Sequence, residues 1–443
     1  MNSNHPLIAA FQKAANEVPA YQQILAEVGT DPADVKSMED FTTKVPVLDK
    51  KSTFGRFSVA QLCRSGNLGR PAGVLTSSGH SGKFAFGIYD GKDVQGEIEQ
   101  ADNALDRLFQ VRCKETLLIN CLPMGVQIPT RACTLAQTSV RPDMATTLVK
   151  ELGPLYEQTI LVGEAAFIKQ VLELGRGLGI EWQKLLVHVI MGEETLAENA
   201  RMYLGNMLGI DVFRPETGLI GSSMGVAEVG LNLFFEFPEL IMLRRLIHEN
   251  PQLRKGLFPD AAACVPMLFT YNPERIFIET TEKSDLVIST LDANRRLPLI
   301  RYRTGDMAQI VNLEELVQLI PHLKEKADAL SQFPLVAVSG RGEAIRVGDV
   351  PVYPEEVKEG IYLDPDLAAK TTANFRLRSG SNRGLLRIQL SPEVPNHPDL
   401  SQRFAEAVSN YVAPPLEVKC QTYEDFKNGM ALDYERKFPY IEE

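Results

Sequence analysis

The chain has 443 residues and a formal net charge of −11. That length can bury a large core and predicts two or three structural units. The acidic balance, without a long run of Lys or Arg, argues against a nucleic-acid or anionic-membrane partner.

Residues 1–15 lack a basic stretch followed by an apolar core, so no secretory signal is expected and the expected location is cytoplasmic. Residues 6–28 carry helical periodicity through Leu7, Ile8, Phe11, Tyr21, Ile24 and Leu25. Pro46 and Val47 lead into a turn-rich segment that lasts to Gly73. A long helix is predicted near Asp93–Phe109, then a buried parallel strand at Leu117–Cys121. The alternation continues with a helix near Glu164–Leu174, a strand at Leu185–Ile190 and a helix near Leu196–Leu208. Strands alternating with helices predict layered α/β structure with a largely parallel sheet. The apolar run 231–246 is broken by Glu236, Pro238, Glu239, Arg244 and Arg245, so it reads as buried or amphipathic and not as a membrane span.

Beyond residue 264 the texture changes. Ile276–Glu279, Leu286–Ser289 and Ile300–Arg303 predict close-spaced strands of a smaller β unit, the last ending at Gly305-Asp306. Gly340 and Gly342 mark a candidate hinge, because glycine tolerates unusual backbone angles. After it come a strand ending near Tyr353, a helix from Pro354, a strand at Leu385–Leu390 and a helix near Leu400–Val412. The six cysteines, at 63, 113, 121, 133, 264 and 420, form no C-x-x-C pair or Cys/His cluster. Free buried thiols are expected, with neither a zinc site nor a disulfide framework.

Four segments carry chemistry. Ser77-Ser78-Gly79-His80-Ser81-Gly82-Lys83 offers backbone N–H groups, hydroxyls and a cation, as a polyphosphate site requires. Its spacing is not that of a Walker A loop. By composition it reads equally as a flexible Gly/Ser turn. In Gly221–Gly230, small residues surround Glu228, a carboxylate suited to Mg²⁺ or a plain turn residue. Leu299–Asp306 places Asp306 where a carboxylate could accept hydrogen bonds from a ribose diol. The fourth segment runs from Gly340 to Val357 and includes the hinge.

In this order, the four segments resemble the adenylate-forming superfamily of acyl-CoA synthetases and adenylation domains, and within it the phenylacetate–CoA ligase branch. Ser77–Phe84 is similar to the family's S-S-G-T-T-G-K-P loop. Met224–Glu228 is similar to Y-G-x-T-E, Arg301–Asp306 repeats R-Y-R-T-G-D, and Gly340–Val357 echoes the hinge motif one residue shorter. The departures are His80 for threonine, Met224 for an aromatic residue, Ala227 for a hydroxyl residue, Glu343 for the hinge aspartate and Asp349 for a glycine.

The resemblance implies an α/β fold. A large N-terminal adenylate-forming domain (1–339) of layered α/β sheets plus a small β unit would be joined to a small mobile α+β C-terminal lid (340–443). It implies ATP, Mg²⁺ and CoA as cofactors. A carboxylic acid of aryl or medium size would be converted to an acyl-adenylate and passed to CoA. The alternatives are delivery to a carrier protein, amine or other nucleophile, and a non-catalytic nucleotide-binding homologue. A homodimer is compatible with the resemblance. Ser77, Ser78, Gly79, Ser81, Gly82 and Lys83 would hold the phosphates, with His80 either a phosphate contact or a solvent-facing loop residue. Glu228 would bind Mg²⁺, and Asp306 the ribose, with Arg341 nearby. Gly192, Glu193, Met224 and Gly225 would lie beside the nucleotide. Pro123, Met124 and Gly125 would line the acyl pocket. Gly342 and Glu343 belong to the hinge. Lys437 is the candidate lid lysine, with Lys427 its rival; Lys437, Lys83 and Glu228 are the candidate catalytic residues.

Overall fold

The computed structural model describes residues 5–77, 83–123, 125–259, 264–320, 331, 334–426 and 438–442. The chain divides into two compact units, each assembled from separated segments.

The first unit comprises Met1–Ala104, Met224–Phe235 and Phe269–Arg341. The helical pattern over 6–28 is realised as two helices, Pro6–Glu17 and Pro19–Val28. Pro19 disfavours helical geometry at the residue before it, and Val18 is extended (φ −105°, ψ 113°). Leu7, Phe11, Tyr21 and Leu25 are buried. Full burial of a side chain such as Phe11, whose ring meets Phe41 edge-on at 5.7 Å, contributes ~1.5–3 kcal/mol. The Tyr21 hydroxyl accepts from the Ile300 N–H at 2.8 Å. This ties the second helix to the segment ahead of the strand Tyr302–Val311.

The predicted β unit is a row of strands ordered Ile276–Thr280, Asp285–Thr290, Tyr302–Val311, Leu335–Gly340, Met267–Tyr271 and Gly230–Phe235. The pairs joining the first four are antiparallel. One expectation is corrected here. The strand starting at Tyr302 does not end at Gly305-Asp306 but continues to Val311. Gly305, at φ +94°, admits a local irregularity without ending the ladder. Asp306 therefore lies within a strand, at a register shift, and not at its end. A separate antiparallel hairpin pairs Gly73–Thr76 with Phe86–Tyr89.

The second unit comprises Leu105–Ser223, Glu236–Leu268 and Gly342–Glu443. Its parallel strands lie in the order Thr134–Gln137, Thr116–Asn120, Gln158–Gly163, Val187–Met191 and Ile220–Val226. Parallel neighbours need long crossovers, and the helices Pro142–Leu152, Ala165–Gly177 and Glu198–Leu208 supply them. The predicted α/β alternation is thus realised. The C-terminal part adds the helices Pro354–Leu363 and Pro398–Val408 and a sheet ordered Thr371–Arg378, Gly384–Leu390, Leu416–Gln421. Val357, Phe375 and Phe404 share one apolar core with Phe167, Val171 and Leu204.

Charged groups are also buried in this unit. Arg201 bonds Glu198 at 3.0 Å and Glu236 at 2.9 Å, and Arg244 lies 3.0 Å from Glu198. All four side chains are essentially inaccessible. Such a network is retained by mutual pairing, because a buried charge stripped of its partner costs several kcal/mol. Glu359, on Pro354–Leu363, extends the polar interior. Its oxygens accept the N–H groups of Glu198 and Asn199 at 2.8 and 2.9 Å, at the start of Glu198–Leu208. His248 stands 3.7 Å from Glu359 and also meets Asn199.

Burial pushes the Glu359 carboxyl from 4.5 up to about 7 despite those two N–H bonds. Burial lowers His248 to about 4. Between the ordinary and native values of Glu359, the folded chain holds a proton that the unfolded chain has released. Stability from this residue therefore falls as pH rises through that window, by ~3 kcal/mol in all. His248 acts oppositely, losing stability as pH falls from its ordinary value towards about 4. Glu359→Gln should remove the first slope and leave the second. Urea unfolding at several pH values should show the variant gaining on the wild type by up to ~3 kcal/mol from about pH 4.5 to about pH 7.5.

Candidate functional site

In the first unit, the hairpin Gly73–Thr76/Phe86–Tyr89 leads into and out of the phosphate-loop segment. Ser77 is held at its base: its N–H donates to the Ala85 carbonyl at 3.0 Å, and its Oγ accepts from the Ala85 N–H at 2.9 Å. Ser78, Gly79, His80, Ser81 and Gly82 lie outside the described residues, and Lys83 is exposed. The Lys50 ammonium donates to Ser77 Oγ at 3.2 Å, which brings a second cation to the loop.

Lys50 belongs to a short segment hydrogen-bonded to the R-Y-R-T-G-D motif. The Leu48 N–H donates to Arg301 O at 2.8 Å, and the Arg303 N–H donates back to Leu48 O at 2.7 Å. Arg303 pairs with Asp49 at 2.8 Å. Burial opposes charge on Asp49, yet the Ser52 N–H and Arg303 hold its carboxyl below the usual range. The other motif side chains have different jobs. Arg301 is structural, pairing with Glu279 at 3.1 Å and donating to Thr42 O at 2.7 Å. Tyr302 turns inward and donates to Glu228 Oε1 at 2.6 Å. Burial, with Glu228 beside it, raises the Tyr302 hydroxyl pKa strongly. Asp306 is half-buried, and its own N–H donates to Thr304 Oγ1 at 3.1 Å. The register Met307↔Gly340 brings the start of the Gly340-Arg341 segment alongside it.

Glu228 is 4% exposed. The turn that carries it is fixed from three sides. Tyr89 Oη donates to Ala227 O at 3.1 Å. Arg295 donates to Val229 O at 2.6 Å and stacks over the Tyr89 ring at 5.2 Å. Gly87 admits the turn, since a Cβ there would lie 2.3 Å from Ala227 O. Gly225 makes a similar close approach, where a Cβ would lie 2.3 Å from Leu231 O. Met224 is half-buried. Among the described residues, no group of three or more His, Cys, Asp or Glu could hold a metal alone. Mg²⁺ sites commonly use one or two carboxylates together with substrate phosphates. Glu228 fits such a role.

The second unit holds the remaining candidates. Pro123 and Gly125 follow the strand Thr116–Asn120, and Met124 lies outside the described residues. Asn120 anchors the loop by donating to Val126 O at 2.8 Å. Gly192 and Glu193 follow Val187–Met191. A Cβ on Gly192 would meet the Leu122 side chain at 3.4 Å, so the two loops adjoin at the carboxyl ends of parallel strands, the common ligand-binding edge of such sheets. Glu193 has φ +71°, a left-handed conformation uncommon outside glycine. Glu194 accepts from Tyr440 Oη at 3.0 Å and pairs with Lys358. Gly342 and Glu343 are exposed. Lys437 and Lys427 lie outside the described residues.

Sequence reasoning missed Lys50, Arg295 and Gly87 and gave Tyr302 no role. Each acts on a residue distant in the chain, and the Lys50-Lys51 and Arg295-Arg296 pairs were the local signals. All six cysteines are free; Cys63, Cys121 and Cys420 are buried as expected, whereas Cys113 is exposed and Cys133 and Cys264 are partly so. No helix of the described residues is long and apolar enough to cross a membrane.

No family model matches the sequence, and no curated protein matches it by sequence. Solved structures do match. The chain is similar to 2-hydroxyisobutyryl-CoA ligase in the postadenylation state with R3-HIB-AMP. The TM-score is 0.70 at 13% identity, with 99% of this chain and 88% of that one covered. The same ligase in complex with 2-HIB-AMP in that state gives 0.68 over the same shares at 13% identity. Its open conformation with 2-HIB-AMP and CoA gives 0.56 at 13% identity, covering 99% of this chain and 90% of that one. The chain therefore has the fold of an acyl-CoA ligase.

The approach at Gly87 is directly testable. Gly87→Ala should push the Glu228 turn away and destabilise the protein by ~1–3 kcal/mol, as overpacking does. A shift of the urea midpoint measures it; an unchanged midpoint would mean the turn yields freely.

Proposed function

We propose that the protein activates a carboxylic acid with ATP and passes the acyl group to the thiol of CoA. A carboxylate oxygen bonds to the α-phosphorus as the bond to pyrophosphate breaks. The thiol sulfur then bonds to the acyl carbon, AMP leaves with the electron pair of the broken bond, and the thiol proton passes to solvent. One observation carries this reading. Lys50 meets Ser77 and Tyr302 meets Glu228, and the backbone of Leu48, paired with Arg301 and Arg303, joins the two contacts in a fold shared with 2-hydroxyisobutyryl-CoA ligase.

In this reading Ser77 and Lys83, with Ser78, Gly79, His80, Ser81, Gly82 and Lys50, hold the phosphates. Glu228 holds Mg²⁺, which neutralises polyphosphate charge when bound. Asp306 receives the ribose hydroxyls near Arg341. Gly192, Glu193, Met224 and Gly225 flank the nucleotide, and Pro123, Met124 and Gly125 border the acyl group. Catalysis is then mainly alignment and charge stabilisation. Residues 340–443 are the lid of this reading, hinged at Gly342 and Glu343 and supplying Lys437 to the reacting carboxylate; for it to move, the core that Val357, Phe375 and Phe404 share with Phe167, Val171 and Leu204 must part. The phenylacetate–CoA ligase branch, a cytoplasmic location and an aryl or medium-sized acid belong to the same proposal.

The test is incubation with ATP, Mg²⁺, CoA and a panel of carboxylic acids, with nucleotide products and thioesters identified by mass spectrometry. AMP and one acyl-CoA are expected. AMP formed only with an amine or carrier protein would replace CoA as acceptor. ATP binding without turnover would mean a nucleotide-binding homologue. Asp306→Ala should weaken ATP binding roughly tenfold to a hundredfold by calorimetry, the worth of one charged hydrogen-bonding partner. Unchanged affinity in the folded variant would remove Asp306 from the site.

A further inference from the structure

Glu228 is buried, yet among the described residues its carboxylate has a single hydrogen-bond donor, the Tyr302 hydroxyl on Oε1 at 2.6 Å. A carboxylate has more acceptor sites than one hydroxyl can fill. Oε2 accepts no hydrogen bond from a described residue. Tyr302 has little freedom to choose another partner. It is 1% exposed, and its ring meets Phe54 edge-on at 6.4 Å. Its backbone pairs with Ile288 on one side and bridges Leu48 on the other. The backbone of the Glu228 turn is held separately, by Tyr89 and Arg295. Backbone and side chain of Glu228 are thus fixed by different residues.

We propose that Tyr302 is a positioning residue for metal binding: by engaging Oε1 it fixes the rotamer of Glu228 and presents Oε2 to the divalent cation that accompanies ATP. This rests on the function proposed above. Groups that orient a metal ligand without touching the metal commonly account for 10–100-fold in metal affinity. A hydroxyl suits the task here. It holds one oxygen by a hydrogen bond while leaving the carboxylate its full negative charge, which a hard cation favours. An Arg or Lys at position 302 would hold the same oxygen but neutralise that charge.

Mn²⁺ is the probe. Its binding to the full-length protein in the presence of ATP is followed by electron paramagnetic resonance of the free ion. Tyr302→Phe keeps the ring and its contact with Phe54 and removes only the donor. It should weaken Mn²⁺ binding roughly tenfold to a hundredfold, while ATP affinity measured in EDTA is unchanged. In a Glu228→Gln background, Tyr302→Phe should cause no further loss, an outcome that a merely structural role would not produce. If Tyr302→Phe does not fold, Tyr302→His keeps a ring-borne donor of different reach and should bind Mn²⁺ more weakly than the wild type. Wild-type affinity in the folded variant, or an equal loss in both backgrounds, overturns the proposal. The functional reading fails separately. If the wild type binds no Mn²⁺ with ATP, or Glu228→Gln binds it equally well, Glu228 is not a metal ligand and both ideas fall. If Glu228 matters and Tyr302 does not, only the positioning role falls.

Discussion

A carboxylate can be kept in a protein interior only if something there compensates for its lost water. In the first unit that carboxylate is Glu228, and the compensation is the Tyr302 hydroxyl. Much of the local architecture follows from that contact. Tyr302 must reach inward from its strand, so the strand is braced on both sides, by Ile288 and by Leu48. The Leu48 bridge fixes the segment containing Asp49 and Lys50, and Lys50 in turn meets Ser77. The turn bearing Glu228 must approach the hairpin closely, which Gly87 allows and Tyr89 and Arg295 secure.

The second unit solves its burial problem with ion pairs. Glu198, Arg201, Glu236 and Arg244 neutralise one another, and Glu359 is held by the backbone N–H groups of Glu198 and Asn199. The last described residues join this unit as well. The Leu377 N–H donates to Tyr440 O, and the Glu442 N–H donates to Leu377 O, both at 2.8 Å. The Tyr440 ring also receives the Lys358 ammonium at 4.3 Å. Tyr440 thus lies against Glu194, two residues beyond Gly192, and burial beside that carboxylate raises its pKa.

The alternation of apolar runs and helical stretches was legible in the sequence because buried parallel strands and amphipathic helices leave different periods. The motif residues were legible because glycines, hydroxyls and acids cluster in them. Within the described site, what escaped was everything set by distance in the chain. Nothing near Arg301 shows that its guanidinium serves Glu279 and the Thr42 carbonyl while its neighbour Tyr302 serves Glu228. The strand Thr371–Arg378 was missed although Ala373, Phe375 and Leu377 alternate along it, because buried Thr371, Thr372 and Asn374 blur the pattern. Continuation of the strand past Gly305 was hidden too, since Gly-Asp is an ordinary turn signal and only pairing with Leu335–Gly340 overrides it.

The central claim is that these contacts assemble a site for forming an acyl-adenylate. Exchange of labelled pyrophosphate into ATP tests it most directly, because it requires reversible adenylate formation and no acceptor. The account predicts exchange that depends on a particular carboxylic acid and on Mg²⁺ and that is impaired in Glu228→Gln. ATP bound at the site, with no exchange for any acid across a broad panel, would contradict it.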